Sequence, residues 1–409
     1  MQVVHPRCAG LDVHKKDVYG CAVVIDEKGK KHQEIRRFGA VTRDLLELAD
    51  WLKGHAITHV AMEATGVYWR PVWAVLEGQF ELLLVNPHHV HALPGRKTDA
   101  KDCEWLADLL QHGLVRSSFV PPTDIQDLRD LTRYRVELTQ AQGRVANRIQ
   151  KVLELANIKL SSVASDTLGV SGQLMIEAII DGEDNPEHLA DLAKRRLRQR
   201  IPDLQLALRG KVRDHHRFLL KEHLSEWKAL SERIIRVEQE IERRIVPFEH
   251  AVTRWKSIPG IDHVTAWCLV AELGVKMDQF PTAQHLASWA GICPGHNESG
   301  GKRISGTMRD GNRWLKRTLC QAAWAASRKK NSYLSAQFKR LATRRGIKRA
   351  LTAVAHSILI IAYNMMRRAE SYHELGADYF DRINQTQLQN YLIRRLQNLG
   401  VTVTVQRVA

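Results

Sequence analysis

Four carboxylates in the first hundred residues stand where they could bind metal ions. Asp12 lies inside an apolar run at residues 8–14, and Glu63 lies inside a second short apolar run. Asp99 and Asp102 follow, three residues apart, at the start of an amphipathic segment. An acid within a packed strand is costly unless it faces a polar site, and a cation satisfies its charge best there. We therefore predict that Asp12 is a metal ligand.

The other three acids are candidates to join it. Residues three apart share a helix face, so Asp99 and Asp102 would point the same way. Four carboxylates packed together would repel and raise one another's pKa unless divalent cations neutralised them. Two Mg²⁺ ions about 3.5–4 Å apart, or Mn²⁺ in their place, form the arrangement that serves phosphodiester chemistry. The alternative is that Asp99 caps its helix and Asp102 lies in the solvated first turn.

The surrounding pattern predicts the elements that would hold these acids. Residues 8–14, 18–25 and 31–38 are predicted as three strands of an antiparallel meander, followed by a helix around 45–52. A strand at 59–65, an aromatic helix and an apolar strand at 80–85 complete a mixed sheet with helices on its faces. This order is the one that the ribonuclease H-like fold requires. In that fold the first and fourth strands are neighbours, so Asp12 and Glu63 would converge.

Two long amphipathic helices are predicted in the middle of the chain, at about 123–158 and 204–246. In the second, apolar residues from Trp227 to Ile245 recur every three or four positions, which is the spacing of a coiled-coil seam. The two helices could pair within one chain or across a dimer. Between them, residues 194–200 form a short basic run.

A second candidate for chemistry lies in the carboxy-terminal half. Residues 257–266 resemble a helix-hairpin-helix turn, although Asp262 stands where its second glycine is usual, which weakens a role in binding DNA phosphate. Residues 290–303, between helices at 282–289 and 311–328, are too rich in glycine and polar residues for a regular element. Ser299 in this loop, beside Lys302 and Arg303, could attack phosphorus. The alternative is that Ser299 is an ordinary loop residue.

The positive charge favours a polyanionic partner. The formal net charge is +16, and residues 301–350 hold 15 Lys or Arg against one acid, Asp310. Such a basic surface is typical of nucleic-acid binding, although a basic face that only aids solubility is the alternative. Lys97 and Lys101 stand beside the acids and could hold the scissile phosphate, or could be ordinary surface residues. The residues that we predict to contact nucleic acid are Lys97, Lys101, Lys302, Arg303, Arg309, Arg313, Lys316 and Arg317.

Cysteine usage and hydropathy indicate a cytoplasmic protein. The six cysteines are scattered without a Cys-x-x-Cys pair, as expected of reduced core residues. We find no signal peptide, and the longest apolar run, 353–366, is too short to span a bilayer and is predicted as a buried helix. His88, His89 and His91 lack the partners that a zinc site needs.

The sequence contains five motifs in this order: Gly10-Leu-Asp-Val-His14, Ala61-Met-Glu-Ala-Thr-Gly66, Lys97-Thr-Asp-Ala-Lys-Asp102, Ile258-Pro-Gly-Ile261 and Glu298-Ser-Gly-Gly-Lys302. Together they resemble the motifs of the insertion-sequence-110 family of DEDD transposases, in the order and spacing of that family over residues 7–370. The last motif departs from the family's usual pattern of two serines, since Glu298 precedes Ser299. Ser305 is the alternative nucleophile.

The resemblance implies an architecture of α/β plus α. A RuvC-like, ribonuclease H-like metal-binding domain would occupy residues 1–122, coiled-coil helices 123–250 and a mostly helical transposase domain 251–370. Residues 371–409 form an extension, with a predicted helix near 385–399 and a strand at 401–405, to which the resemblance assigns no role.

The resemblance also implies the chemistry and the partners. Asp12, Glu63, Asp99 and Asp102 would be the Mg²⁺-binding acids, and Ser299 would attack DNA and hold it as a phosphoserine. The acids would come from a neighbouring protomer of a homo-oligomer, a dimer or a tetramer. A structured non-coding bridge RNA would choose the donor and target DNA by base pairing, in the cytoplasm of a bacterium at the nucleoid.

Two other functions stay open on the sequence alone. The chain could be a metal-dependent nuclease of the junction-resolving kind, in which water attacks and Ser299 is structural. It could also be a catalytically silent protein that binds RNA or DNA. The three hypotheses differ in what substitution of Ser299 or of the acids should do to strand cleavage.

Overall fold

The computed structural model describes residues 2–64, 66–86, 99–115, 117–293, 297–299, 302–305, 308, 311–383 and 385–405. For residues 99–100, 297–299 and 302–305 it describes the backbone alone. The chain divides into two compact units, Met1–Pro121 and Pro122–Ala409. The first is a mixed α/β unit, as predicted, and the regular structure of the second is almost entirely helical.

The first unit is built on a five-stranded sheet. Strands β1 (Arg7–Val13), β2 (Asp17–Ile25) and β3 (Lys31–Gly39) pair as an antiparallel meander. Strands β4 (His59–Glu63) and β5 (Glu81–Val85) continue the sheet in parallel with β1, which gives the order β3-β2-β1-β4-β5. The prediction that the first and fourth strands are neighbours is therefore confirmed.

Alternation along the strands gives this sheet two apolar faces. Leu11 and Val13 of β1 pack with helices α1 (Thr42–Gly54) and α2 (Trp69–Leu76) on one face. Cys8 of β1 and Ala61 of β4 pack with helix α3 (Asp99–Gln111) on the other. Because Asp12 and Glu63 follow Cys8 and Ala61 at even spacing, both acids belong to the α3 face.

The second unit begins with two long helices that pack side by side. Helix α4 (Thr123–Leu155) runs antiparallel to a later helix, α9 (Asp214–Ile245). Three contacts fix the direction: Asp127 pairs with Arg244 at 2.7 Å, Arg135 with Glu238 at 2.6 Å and Arg148 with Glu226 at 3.7 Å. The pairing that the sequence left open is thus made within one chain.

Short helices form the connection between α4 and α9. They are α5 (Leu160–Val163), α6 (Val170–Ile180), α7 (Pro186–Asp191), a 3-10 turn (Arg195–Arg200) and α8 (Ile201–Ala207). The prediction of one continuous helix over 204–246 is therefore wrong, because the chain leaves the helix between residues 207 and 214. The chain leaves the helix after Ala207 because it passes over the end of α4, where the Lys211 amide donates to the Ala156 carbonyl at 2.9 Å. A Cβ at Gly210 would lie 2.4 Å from that same carbonyl oxygen, so only glycine fits this crossing.

A 3-10 turn (Val246–Phe248) follows α9, and the described part of the second unit then contains seven helices before its last one at Gln385–Asn398. The predicted buried helix at 353–366 is confirmed within α15. That helix is long and apolar enough to cross a membrane by length and composition, but it packs Val354, Ile358 and Leu359 in the helical core. The seven are α10 (Glu249–Lys256), α11 (His263–Leu273), α12 (Ala283–Trp289), α13 (Arg313–Ser327), α14 (Tyr333–Arg345), α15 (Ile347–Arg368) and α16 (Tyr379–Ile383).

The carboxy-terminal extension differs from its prediction in one element. Helix α17 (Gln385–Asn398) is present as predicted. Residues 401–405 form no strand, so that prediction is wrong. A Val-Thr repeat favours extended backbone, but a strand needs a partner to accept its hydrogen bonds.

Candidate active site

The acids of the first unit lie at the ends of neighbouring strands. Leu11 of β1 pairs with Met62 of β4, so Asp12 and Glu63, one residue further on, occupy adjacent register positions on the α3 face. Neighbouring strands lie about 4.8 Å apart, which is within reach of a shared cation for two carboxylates. The strand pairing thus brings these two predicted residues together.

Helix α3 brings the other two acids toward the same edge of the sheet. Its backbone lies directly on β1, since a Cβ at Gly10 would come within 2.3 Å of the Cys103 carbonyl oxygen and 2.5 Å of the Ala107 amide nitrogen. Burial raises the pKa of the Cys103 thiol to about 12, and the charge of Asp12 adds to that rise. Asp12 therefore lies near the first turn of α3, where the chain places Asp99 and Asp102.

Each acid has a different environment within the described residues. The Asp12 side chain is 13% exposed, and its Oδ2 lies 3.1 Å from Nε2 of His14. Glu63 and Asp102 are half-buried. Asp99 is the first residue of α3, and its side chain lies outside the described part. Among the described residues, no three His, Cys, Asp or Glu side chains stand close enough to hold a metal ion as they are.

The donor set suits a hard divalent cation. Asp12, Glu63 and Asp102 offer carboxylate oxygens, which Mg²⁺ and Mn²⁺ prefer. His14 approaches one carboxylate oxygen of Asp12 and can orient it, as groups beyond the direct ligands do in metal sites. These residues fit a Mg²⁺ site that three elements, β1, β4 and α3, position from one side of the sheet.

Ser299 lies in a short hairpin rather than in the irregular loop that the sequence predicted. Strands β6 (Asn297–Ser299) and β7 (Lys302–Ser305) pair antiparallel, with Ser299 opposite Lys302 at the end nearest the turn. Ser305 pairs with Asn297 at the other end. None of the paired residues is a glycine, so the glycine content of the segment does not prevent the pairing. The side chain of Ser299 lies outside the described part of the structure.

The segment that carries this hairpin is closed at its base. A Cβ at Gly311 would lie 2.6 Å from the Ala290 carbonyl carbon and the Gly291 nitrogen, so the two ends of the segment touch. Asn312 follows and caps α13, accepting hydrogen bonds from the Trp314 and Leu315 amides at 3.0 and 3.1 Å. The base is therefore fixed to the helical core.

A buried carboxylate, which the sequence reasoning missed, holds Asn312 in place. Glu272 of α11 is 2% exposed and accepts hydrogen bonds from Asn312 Nδ2 at 2.5 Å and from Arg133 Nε and Nη2 at 2.7 and 2.8 Å. Arg129 donates to the Ala271 and Glu272 carbonyls, both at 3.0 Å. The sequence feature that could have identified Glu272 is its position as a single acid within the apolar run 263–273, because a buried acid needs partners.

The predicted helix-hairpin-helix turn is confirmed as a turn between α10 and α11. Gly260 has φ 91°, and its Cβ position would meet Ala322 and Ala326 of α13 at 2.4 and 2.5 Å. Asp262 caps α11 by accepting from the Thr265 amide at 2.8 Å. Gly260 is half-buried, and its close approach to α13 leaves no room for a side chain at this turn.

The predicted basic residues fall in several places. Arg313 and Arg317 are exposed on the first turns of α13, and Arg313 stacks over Trp314 at 5.1 Å. Arg317 lines a cavity of about 90 Å³ together with Arg133 and Arg135. Of the remaining predicted residues, Lys101 is exposed, Lys316 is half-buried, Lys302 and Arg303 have only their backbone described, and Lys97 and Arg309 lie outside the described residues.

Comparison with known proteins assigns the chain to transposases. A DEDD transposase model of the IS110 type matches residues 9–158, and the model of the "Transposase IS116/IS110/IS902 family" matches residues 252–340. Both describe enzymes of DNA transposition. The chain belongs to the IS110 family of transposases.

Relatives agree with this assignment. The transposase for insertion sequence element IS1111A of Coxiella burnetii is 24% identical, over 71% of this chain and 72% of its own. An IS110 protein of 43.6 kDa from Streptomyces coelicolor is 27% identical over 68% and 73%. The pilin gene-inverting protein of Moraxella bovis is 24% identical over 79% and 85%.

Proposed function

We propose that this transposase cuts and rejoins DNA through a phosphoserine intermediate on Ser299, with Asp12, Glu63, Asp99 and Asp102 as its Mg²⁺ ligands. The observation that carries the proposal is the strand register that sets Asp12 beside Glu63 under the amino-terminal turn of α3. A transposase of the DEDD type is expected to use divalent cations, and these acids are the group that the register and α3 bring toward one edge of the sheet.

The proposal includes the fold of each part. The order β3-β2-β1-β4-β5, with α3 crossing β1, supports a ribonuclease H-like, RuvC-like domain over residues 1–122. The antiparallel packing of α4 on α9 supports a coiled-coil segment over 123–250. The helical region 251–370, with the serine hairpin, is proposed as the transposase domain, and 371–409 as a separate extension.

In the proposed reaction, the Ser299 hydroxyl attacks a DNA phosphorus. An Oγ–P bond forms as the hydroxyl loses its proton, and the P–O bond to one deoxyribose breaks, with that oxygen taking up a proton. A deoxyribose hydroxyl of another strand later attacks the phosphoserine, restores a phosphodiester and releases the serine. Bound Mg²⁺ would supply charge stabilisation to the phosphate oxygens. Lys302 pairs with Ser299 in the hairpin register, which supports a role for Lys302 in neutralising phosphate charge.

The proposed partners are donor and target DNA and a structured non-coding guide RNA. The 15 Lys or Arg of residues 301–350 support sequence-independent backbone binding, which leaves base choice to pairing with the guide. Because the family resemblance takes the acids and the serine from different protomers, we propose that a homo-oligomer, a dimer or a tetramer, is the active form.

Substitution of Ser299 tests the nucleophile. In Ser299→Ala, denaturing gels of protein incubated with donor DNA and Mg²⁺ should show no protein–DNA adduct and no cleavage. Ser305→Ala is the matched control and should keep both. Cleavage that persists without adduct in Ser299→Ala would favour the junction-resolving nuclease, in which water attacks.

Substitution of the acids tests the metal role. Asp12→Asn with Glu63→Gln removes two charges without changing side-chain size and should abolish recombination while DNA binding is kept. If every activity were unchanged, the chain would be a non-catalytic binding protein instead. Sequencing of RNA that copurifies with the protein tests the guide: one enriched structured RNA is expected, and bulk cellular RNA alone would contradict it.

A further inference from the structure

The connection between α4 and α9 carries a dense basic surface that the proposed reaction does not use. We call residues 194–213 the basic tip; it comprises the 3-10 turn, α8 and the crossing that follows. It contains one acid, Asp203, against eight bases, which are Lys194, Arg195, Arg196, Arg198, Arg200, Arg209, Lys211 and Arg213. The two family models end at residue 158 and resume at 252, so neither describes it.

The charge is local to the tip. Helix α9, which follows it, has seven acids and seven bases and is neutral overall. Some of its bases form ion pairs with the neighbouring helix α4, as Arg244 does with Asp127 at 2.7 Å. A solvated helix normally mixes charges in this way. The basic tip departs from that pattern over about twenty residues.

The basic side chains of the tip are exposed and largely uncompensated. Lys194, Arg195, Arg196, Arg209 and Lys211 are all exposed, and none of them pairs with an acid of the described chain. Arg200 alone has an acidic partner in the tip, Asp203 at 3.0 Å. Like charges held together without acids repel one another, so this arrangement is expected where an anion binds.

The tip is held in a defined shape. The Lys194 amide donates to Ser171 Oγ at 2.9 Å, and Arg200 Nη1 donates to the Val163 carbonyl at 2.9 Å. The bases form two groups, at residues 194–200 and 209–213. Helix α8, with seven residues, lies between the groups and spans about 10 Å at the helical rise. Arg195 has φ 54°, a left-handed conformation that is unfavourable for a residue with a Cβ and that is often found at functional positions.

The amino-acid composition around the basic tip favours double-stranded over single-stranded nucleic acid. Residues 157–213 contain no Phe, Tyr or Trp. Proteins that grip single strands stack bases on aromatic rings, so the tip lacks the means to do this. Basic side chains without aromatics are suited to the phosphates of a double helix, which carries about one charge per 1.7 Å of its axis. The family acts on DNA.

We propose that the basic tip binds the phosphate backbone of double-stranded DNA, without sequence preference. It adds affinity for duplex DNA. This inference depends on the family assignment and not on Ser299 or the acids, so it stands or falls separately from the proposed chemistry.

A charge-neutralising variant of the full-length protein tests the proposal. Arg195→Gln, Arg196→Gln, Arg209→Gln and Lys211→Gln are combined. The matched control has the same change of net charge, at four exposed bases of α4 and α9 that also have no acidic partner in the described chain. The control combines Arg144→Gln, Lys151→Gln, Lys221→Gln and Arg233→Gln.

Fluorescence anisotropy with a random 30-base-pair DNA duplex, over a series of salt concentrations, gives the affinity and its salt dependence. Each lost phosphate contact should reduce the slope of log affinity against log salt by about 0.9, so the tip variant should lose up to about 3–4 in slope and more than about tenfold in affinity. The control should lose less than about threefold.

Two results would overturn the proposal: equal losses in the tip variant and the control, or a loss confined to a structured RNA probe with duplex DNA binding unchanged. Circular dichroism and thermal unfolding establish folding. If the fourfold variant fails to fold, the pair Arg195→Gln and Arg196→Gln serves instead, with an expected slope change of about 2. An unchanged slope in that pair also refutes the proposal.

Discussion

Replacement of Gly10 by alanine should move α3 away from the sheet and separate the acids. The added Cβ would lie 2.3 Å from the Cys103 carbonyl oxygen and 2.5 Å from the Ala107 amide nitrogen, whereas ordinary contact begins at 3.4 Å. Both neighbours are backbone atoms, so no side chain can turn aside. Helix α3 must therefore retreat by about 1 Å, and Asp99 and Asp102 retreat with it.

The expected loss of stability follows from overpacking of the core, and the expected loss of activity follows from misplacement of the acids. Forcing one methyl group into a packed core costs about 1–3 kcal/mol of unfolding free energy. A shift of about 1 Å in a catalytic group reduces activity about a hundredfold. The effect on cleavage should therefore be much larger than the loss of stability alone would cause in a protein that remains folded.

The assay compares Gly10→Ala with Gly54→Ala, a control in the same unit whose Cβ would meet nothing within 4 Å. Urea unfolding measures stability, and Mg²⁺-dependent DNA cleavage is measured where both variants remain folded. Gly10→Ala should lose about a hundredfold in rate and Gly54→Ala less than about twofold. Cleavage at the wild-type rate in folded Gly10→Ala would refute the placement of α3 against β1 as the source of the site.

Other expectations concern the second unit and the thiols. Glu272→Gln leaves Arg133 without its charged partner, so urea titration should show a free energy of unfolding that is lower by about 2–4 kcal/mol. Formation of the protein–DNA adduct should also fall. An unchanged urea midpoint would contradict the role of this buried acid. Gly143→Ala, in open space on α4, should raise the unfolding free energy by about 0.5–1 kcal/mol, and a decrease would contradict the helix there. Burial raises the pKa of Cys8 and Cys21 to about 12, so at pH 8 iodoacetamide should label the half-buried Cys293 in the native protein and spare those two; mass spectrometry that found them labelled would contradict their burial.

Strand patterning predicted the sheet of the first unit well. Short apolar runs separated by turn residues gave four of the five strands, the mostly polar β3 was predicted as the third strand of the meander, and the order of elements placed β1 next to β4. The prediction succeeded because burial of β1, β2 and β4 against helices leaves little freedom of register. Placement of α3 could not be predicted, since the reason for it is the absence of a side chain at Gly10, and one glycine in a strand has several explanations.

The second unit shows where sequence reasoning is limited. The apolar seam of α9 was predicted, yet the break before Asp214 was not, because Gly210 and the Ala156 carbonyl meet only after the chain has folded back. Glu272 was overlooked because its partners, Arg129, Arg133 and Asn312, are about forty or more residues distant in sequence. The acid within an apolar run signals that partners are needed, but which residues they are has no local signature.

The most direct test of the account is the position of Mn²⁺ in crystals of the protein bound to donor DNA. Anomalous diffraction should show a Mn²⁺ peak about 2.0–2.3 Å from carboxylate oxygens of Asp12 and Glu63, with an α3 acid close by. The same crystals of Asp12→Asn should lose the peak. A Mn²⁺ peak elsewhere on the protein, with Asp12 and Glu63 free of metal while DNA is bound, would contradict the central claim that β1, β4 and α3 together build the cation site.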